Sequence, residues 1–392
     1  MKYNIWKDCP KVPITELLSF IVDNRGKTVP TADDGWKLIA TNCVTNNTLF
    51  PVYEKVRYLT QETYETWFRA HPIPGDILFV NKGTPGRVCM VPEPVDFCIA
   101  QDMIALRADD EKIYNKYLFA VLRSREIQQQ IYNTNVGDVI PHFKKQFMDQ
   151  LLIPVPDRRT QEIIGNLYFE LSYKTELNKK INNNLEQQAQ AIYQQMFIDN
   201  PDPDWIEGSL SDIANITMGQ SPSGSSYNED GIGAIFFQGR AEFGFRFPTI
   251  RLYTTEPKRM AYANDILMSV RAPVGNLNVA HNDCCIGRGL AAIQSKTNHQ
   301  SFVLYTMFSL KKQLDVFNGE GTVFGSINRN SLNDMPILIP DDEQIEKFEL
   351  IVAPMDAAIR NNCDEICRLQ AVRDSLLPRL MSGELDVSNL SL

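Results

Sequence analysis

The sequence repeats itself. Four segments recur in the same order at an offset of 183 to 193 residues, so a fold for the first half must serve the second as well. The first is a polar glycine loop after an apolar run, Leu17 to Pro30 against Leu210 to Pro222. The second is a strand with a glycine turn, Asp76-Ile77-Leu78-Phe79-Val80 and Lys82 to Arg87, against Asp265-Ile266-Leu267-Met268-Ser269 and Arg271 to Gly275. The third, Cys98 to Leu106 against Cys285 to Ile293, reads as a short buried strand in each half. The fourth runs from Gly137-Asp138-Val139-Ile140-Pro141-His142-Phe143 to Ile153-Pro154-Val155-Pro156, against Gly321 to Ile327 and Ile337-Leu338-Ile339-Pro340.

After each closing proline the apolar period lengthens from two to about 3.6, the period of a helix. Residues 160–197 carry Ile164, Leu167, Leu171, Ile181, Leu185, Ala189, Ile192 and Met196 on one stripe. Residues 342–381 carry Phe348, Val352, Met355, Ile359, Ile366, Leu369, Leu376 and Leu380. Each is expected to be one helix of roughly 55–60 Å, the second bent or frayed at Pro354 and Pro378. The expected order is a globule at 1–156, a helix at 157–198, a globule at 199–340, and a helix with a tail at 341–392. Asn178 and Asn362 are equivalent by the repeat and interrupt their stripes. In antiparallel helices they are expected to meet and fix the register. The pairing set is Leu171, Asn178, Ile181, Leu185 and Ile192 with Ile359, Asn362, Ile366, Leu369 and Leu376.

Composition excludes several classes. The eight cysteines show no regular framework spacing, which reads as buried thiols in a reduced, cytoplasmic protein. The four histidines have no metal spacing, so no metal site is expected. No run approaches the roughly 18 apolar residues of a membrane span. The Met1 to Asp8 start lacks the apolar run of a secretory signal. Catalytic motifs are missing too. Arg25-Gly26-Lys27-Thr28 looks like the end of a phosphate loop, but Ile21 stands where that loop needs glycine. Asn200-Pro201-Asp202-Pro203 lacks the adjacent prolines and aromatic of an amino-methyltransferase loop, Asp110-Glu111-Lys112 lacks a nuclease partner, and no Gly-x-Ser-x-Gly elbow occurs. No catalytic residue is assigned.

The net charge of −9 argues against a nucleic-acid partner until it is divided along the chain. Residues 1–156 carry 18 basic and 18 acidic groups, 199–340 carry 11 and 14, and 341–392 carry 5 and 11. Basic groups fall on the repeated loops, Arg25 and Lys27, then Lys82 and Arg87, then Lys144 and Lys145, and Thr28 and His142 beside them are further candidates for DNA contact. The second half offers Gln220, Ser221, Arg271, Arg288, Ser326 and Arg329, with Arg240, Arg246 and Arg251 in what reads as an aromatic-rich insertion. Such side chains on glycine loops suit phosphate and base-edge contacts.

The whole arrangement resembles the specificity subunit of a type I restriction-modification system. The likeness rests on the paired loops, the Asp-Ile-Leu strands, the closing Ile-Pro-Val-Pro and Ile-Leu-Ile-Pro, and the helix starts Gln161-Glu162-Ile163-Ile164 and Glu343-Gln344-Ile345. The tail Leu376-Leu377-Pro378-Arg379-Leu380-Met381-Ser382-Gly383-Glu384-Leu385 adds to it. The resemblance implies an α+β fold: two target recognition domains in tandem, each followed by a long helix, the helices packing as an antiparallel coiled coil. It further implies that each globule reads half of a split sequence in double-stranded DNA. The helices would set the gap and dock two modification subunits, with restriction subunits completing the complex. S-adenosylmethionine and ATP are then expected on the partners and no cofactor on this chain. A self-sufficient nuclease and a helical protein-binding adaptor are the alternative readings.

Overall fold

The computed structural model describes residues 4–24, 26, 28–134, 141–319 and 325–385. Two compact units divide the chain, Met1–Asn178 with Glu365–Leu392 and Lys179–Asp364. The division cuts through both long helices, Arg158–Tyr193 and Asp342–Met381. Each unit therefore holds one globule and a stretch of each helix.

In the first unit an antiparallel four-stranded sheet runs Leu18–Val22, Met103–Ala108, Ile77–Val80, Val88–Met90. Ile77–Val80 is apolar at every position because both of its faces are covered. Ile77 and Phe79 pack with the Asn115–Leu122 helix. Leu78 and Val80 pack with Ile39, Phe97 and Ile99 of a three-stranded sheet, in which Trp36–Ile39 runs parallel to Phe97–Ile99. The strand expected from Cys98 to Leu106 is thus two strands in two sheets, turned at Asp102, whose φ is +68°.

The second unit repeats this plan. Its four-stranded sheet runs Ala214–Met218, Leu290–Ser295, Ile266–Ser269, Leu277–Val279. Ile266 and Met268 pack with the Gln300–Ser309 helix, and Leu267 with Phe237 and Ile286. Ala234–Phe237, parallel to Cys284–Ile286, is the counterpart of Trp36–Ile39. The aromatic segment that reads as an insertion is a repeated strand and the loop after it.

Each globule closes just before its helix begins. Lys11–Pro13 pairs with Leu152–Pro154, and Ile206–Ser209 with Pro336–Ile339. Asp157 Oδ1 then accepts the Thr160 N–H at 3.0 Å, and Asp341 Oδ1 the Gln344 N–H at 2.9 Å, which caps both long helices at equivalent places. The second helix runs unbroken through Pro354 and Pro378, so the expected fraying does not occur; both prolines lie on its exposed side.

Within each unit the helix segments run antiparallel. In the first, Tyr168 lies beside Arg373, while Lys174 and Asn178 reach Glu365 at 2.5 and 2.8 Å. In the second, Asn362 donates to Asn182 at 2.8 Å and Tyr193 packs on Phe348. Asn178 and Asn362 thus find partners other than each other, which corrects the expected pairing. The buried seam of the first helix is polar and small, with Ser172, Thr175, Asn178 and Asn182 each 5% exposed or less. Ile181 is 40% exposed, and Leu171, Leu185 and Ile192 are only half-buried. On the second helix Ile359 is buried, while Ile366, Leu369 and Leu376 are half-buried. The period of about 3.6 favoured large side chains, whereas the seam follows the tighter seven-residue spacing of 168, 175, 182 and 189.

Candidate nucleic-acid interface

The repeated loops lie at the ends of buried strands, and one backbone device recurs at both places. In the first unit Phe143 N–H donates to Asn81 O at 2.7 Å and Gly83 N–H to Pro141 O at 3.0 Å, which puts Lys82 opposite His142 in an isolated antiparallel bridge. In the second, Ile327 N–H donates to Val270 O at 3.1 Å and Ala272 N–H to Gly325 O at 2.9 Å, which puts Arg271 opposite Ser326. The turn after each strand needs glycine. Gly86 and Gly275 have φ of +86° and +81°, and a Cβ on Gly275 would lie 2.9 Å from Leu314 Cβ.

Other loops join the first bridge. Lys82 Nζ lies 4.0 Å from Asp102 Oδ1, Gln101 Nε2 donates to Thr28 Oγ1 at 3.5 Å, and Lys145 Nζ reaches Asp23 Oδ2 at 3.4 Å. Thr28, Lys82, His142 and Lys145 are thereby gathered at one end of the sheet. The buried side chain of Asn24 fixes the base of this loop, donating to Ala70 O and Ile99 O and accepting the Arg69 N–H. Arg87 is exposed beyond the turn, and Lys144 is exposed where it precedes the short Lys145–Gln150 helix. Arg25 and Lys27 lie outside the described residues, as do residues 137–140 and 321–324 of the fourth repeat.

Around the second bridge, Gln220 N–H donates to Ile286 O at 3.0 Å, and Ser221 Oγ accepts the Arg288 N–H at 3.2 Å. Val270 N–H donates to Gly289 O, and Gly289 N–H to Gln238 O, just before Arg240. Gln220, Ser221, Arg240, Arg271, Arg288 and Ser326 are thus brought together. Arg329 opens the short helix that follows, where Asn328 Oδ1 caps the Ser331 N–H. Arg240, Arg271, Arg288 and Arg329 are exposed and form no ion pair with an acid among the described residues. The lysines of the first unit have aspartates for neighbours. The globule whose composition is net acidic, with 11 basic and 14 acidic groups, therefore carries the less compensated cations at its loops.

Of the two remaining arginines of the aromatic segment, one is buried away from this surface and the other is exposed but paired with acids. Arg246, with its side chain 4% exposed, donates to Asp356 Oδ1 and Glu186 Oε1, both at 2.9 Å, and so ties the second globule to both helix segments of its unit. Burial holds the Glu186 carboxyl above its usual range despite the arginine. Arg251 is held by Glu229 and Glu242. The Phe245 and Phe247 flanks were the one sequence sign that Arg246 points inward. No disulfide joins any of the eight cysteines, all of which lie among the described residues; burial pushes the Cys98 and Cys284 thiols up to about 12, but Cys367 is exposed, against the expectation of buried thiols. No helix is long and apolar enough to cross a membrane among the described residues.

The sequence model of the type I restriction modification DNA specificity domain matches twice, at residues 14–187 and 203–362. A Methanocaldococcus jannaschii protein named for the MjaX type I restriction enzyme specificity subunit is 28% identical, over 85% of this chain and 84% of its own length. The HindI specificity subunit of Haemophilus influenzae is 22% identical, over 79% and 86%. A crystal structure described as the S subunit of a type I restriction-modification system from M. genitalium is 16% identical, with a TM-score of 0.60 over 97% of this chain and 98% of that one, and is alike in fold.

Proposed function

The chain belongs to the type I restriction modification DNA specificity family, and from that premise we propose that it is the DNA sequence-specificity subunit of a type I restriction-modification complex. Residues 1–156 read one half of a split target and residues 199–340 the other. The observation that carries this reading is the doubled bridge, Lys82 with His142 and Arg271 with Ser326. One backbone platform is built twice and furnished with different side chains, as two readers of unlike half-sites require.

The readers carry recognition and no chemistry. Phosphate contacts from the exposed cations position the duplex, and Gln220, Ser221, Thr28, His142 and Ser326 offer hydrogen bonds to base edges. The long helices set the gap between half-sites and dock two modification subunits in the cytoplasm. Restriction subunits complete the complex, and S-adenosylmethionine and ATP are bound by the partners. Selection from randomised duplexes by this chain with its modification subunits tests the reading. The expected result is a two-part motif with a fixed gap, and recovery of no motif would overturn it.

A further inference from the structure

The two globules differ at one buried carboxylate. In the first unit Asp76, with its side chain 1% exposed, receives the Arg107 guanidinium, Nε to Oδ1 and Nη2 to Oδ2, both at 2.9 Å. Phe20 faces Arg107 in the strand register, its ring 5.3 Å from the guanidinium carbon. Asp76 Oδ2 also accepts the Ile73 N–H at 2.9 Å.

Asp265 occupies the same position in the second unit, just ahead of Ile266–Ser269; it is 5% exposed, and its Oδ2 accepts the Tyr262 N–H at 2.8 Å. The registers Ile77 with Leu106 and Ile266 with Ile293 make Gln294 the counterpart of Arg107. Asn215 faces Gln294 as Phe20 faces Arg107. Both the guanidinium and its aromatic cover are gone. The side-chain hydrogen bond to Asp265 goes to Oδ2, and none reaches Oδ1 from the described residues. Burial raises its carboxyl above the usual range, and Asp283 adds to the shift.

The space vacated is a cavity of about 770 Å³ lined by Asp265, Gln294, Asn215, Ala353, Asp356 and Ala357. The helix wall is of small residues, where the first helix has Phe169 and Tyr173 at the equivalent places. Asp356 brings a second acid, with Oδ1 held by Arg246 and Tyr305 and Oδ2 buried without a partner among the described residues. Three cations also line the cavity and are already engaged, Arg246 with Asp356 and Glu186, Arg360 with Asn264 Oδ1 and His281 O, and Lys296 with Ser211 O.

We propose that this cavity binds a small guanidinium-bearing cation, which takes at Asp265 the place that Arg107 takes at Asp76. A planar fork matches a carboxylate with two parallel hydrogen bonds, and the volume suits a small organic molecule. The bound cation spans from the sheet at Asp265 toward Asp356 on the helix.

Agmatine is the probe, titrated into the full chain by calorimetry. One equivalent is expected to bind. Gln294→Arg, which supplies the guanidinium from the chain itself, should weaken binding by about tenfold or more and raise the melting temperature, and Asp265→Asn should weaken it as well. Gln294→Arg removes no buried group, and its cooperative melting, read in parallel, separates loss of the site from loss of the fold. No saturable binding to the wild-type chain up to about 10 mM agmatine, or unchanged binding by Gln294→Arg, overturns the proposal.

Discussion

Asn362 Nδ2 donates to Asn182 Oδ1 across the paired helices of the second unit at 2.8 Å. Asn182 in turn donates to Cys363 Sγ at 3.4 Å, so its amide is used at both ends within a buried seam. Replacing Asn362 alone by Leu strands a buried acceptor and should cost about 1–3 kcal/mol in urea unfolding. Replacing both asparagines should recover much of that loss, since two apolar groups leave nothing unpaired. A double-mutant cycle with no coupling would remove the pair from the account.

Because the helices pair antiparallel, the gap between half-sites should respond to insertions made in both. Seven residues added at the level of Asn182 and of Asn362 lengthen the helices by about 10 Å, or about three base pairs of duplex. The selected motif should keep both halves and gain that gap. A change in the bases of either half would argue that the helices are not the spacer.

Arg246→Ala leaves Glu186 and Asp356 facing each other without their cation, at a cost of roughly 3–5 kcal/mol. Arg246→Met should cost less, since it restores apolar volume. Calorimetric melting should show the loss in the second unit, and motif selection should lose the second half-site before the first.

At the loops, Arg271→Ala should weaken DNA binding across sequences and reduce the slope of log affinity against log salt by about 1. Lys145→Ala should do less, because Asp23 already offsets its charge. Equal slopes for both variants and the wild type, measured with the partner subunits present, would take Arg271 off the phosphate backbone.

Asp265 gives a pH dependence with a definite sign. Its carboxyl titrates higher folded than unfolded, so through that window the unfolded chain holds fewer protons and stability falls as pH rises. Urea unfolding from about pH 4 to about pH 7 should show this slope, and Asp265→Asn should flatten it.

The duplication made much of this legible. Asp76 and Asp265, the closing strands and both helix caps stand where the repeat places them, because strand ends and caps are local in sequence. The second sheet of each globule was not legible. Trp36–Ile39 pairs with Phe97–Ile99 across a loop of unlike length in the two halves, so the repeat carries no fixed offset there. The helix seam was missed because Ser172, Thr175 and Asn182 carry no hydrophobic signal. Their burial follows from the close approach of two helices, a property of the pair. Arg246 was drawn toward the DNA side by its charge, its aromatic flanks being the one contrary sign, and the positions of Glu186 and Asp356 fix its place.

The first core contains Leu377, Leu380 and Met381 beside Ile14, Phe79 and Tyr117, with Leu385 packed against it. During synthesis the second globule emerges in full before those leucines leave the ribosome. The half of the molecule that is translated first is therefore the half that is finished last, and it must wait with an open flank for most of the chain. A nascent chain stopped before Leu376 retains every loop of both globules and still lacks the leucines that seal the first one, because the last turns of the Asp342–Met381 helix supply them.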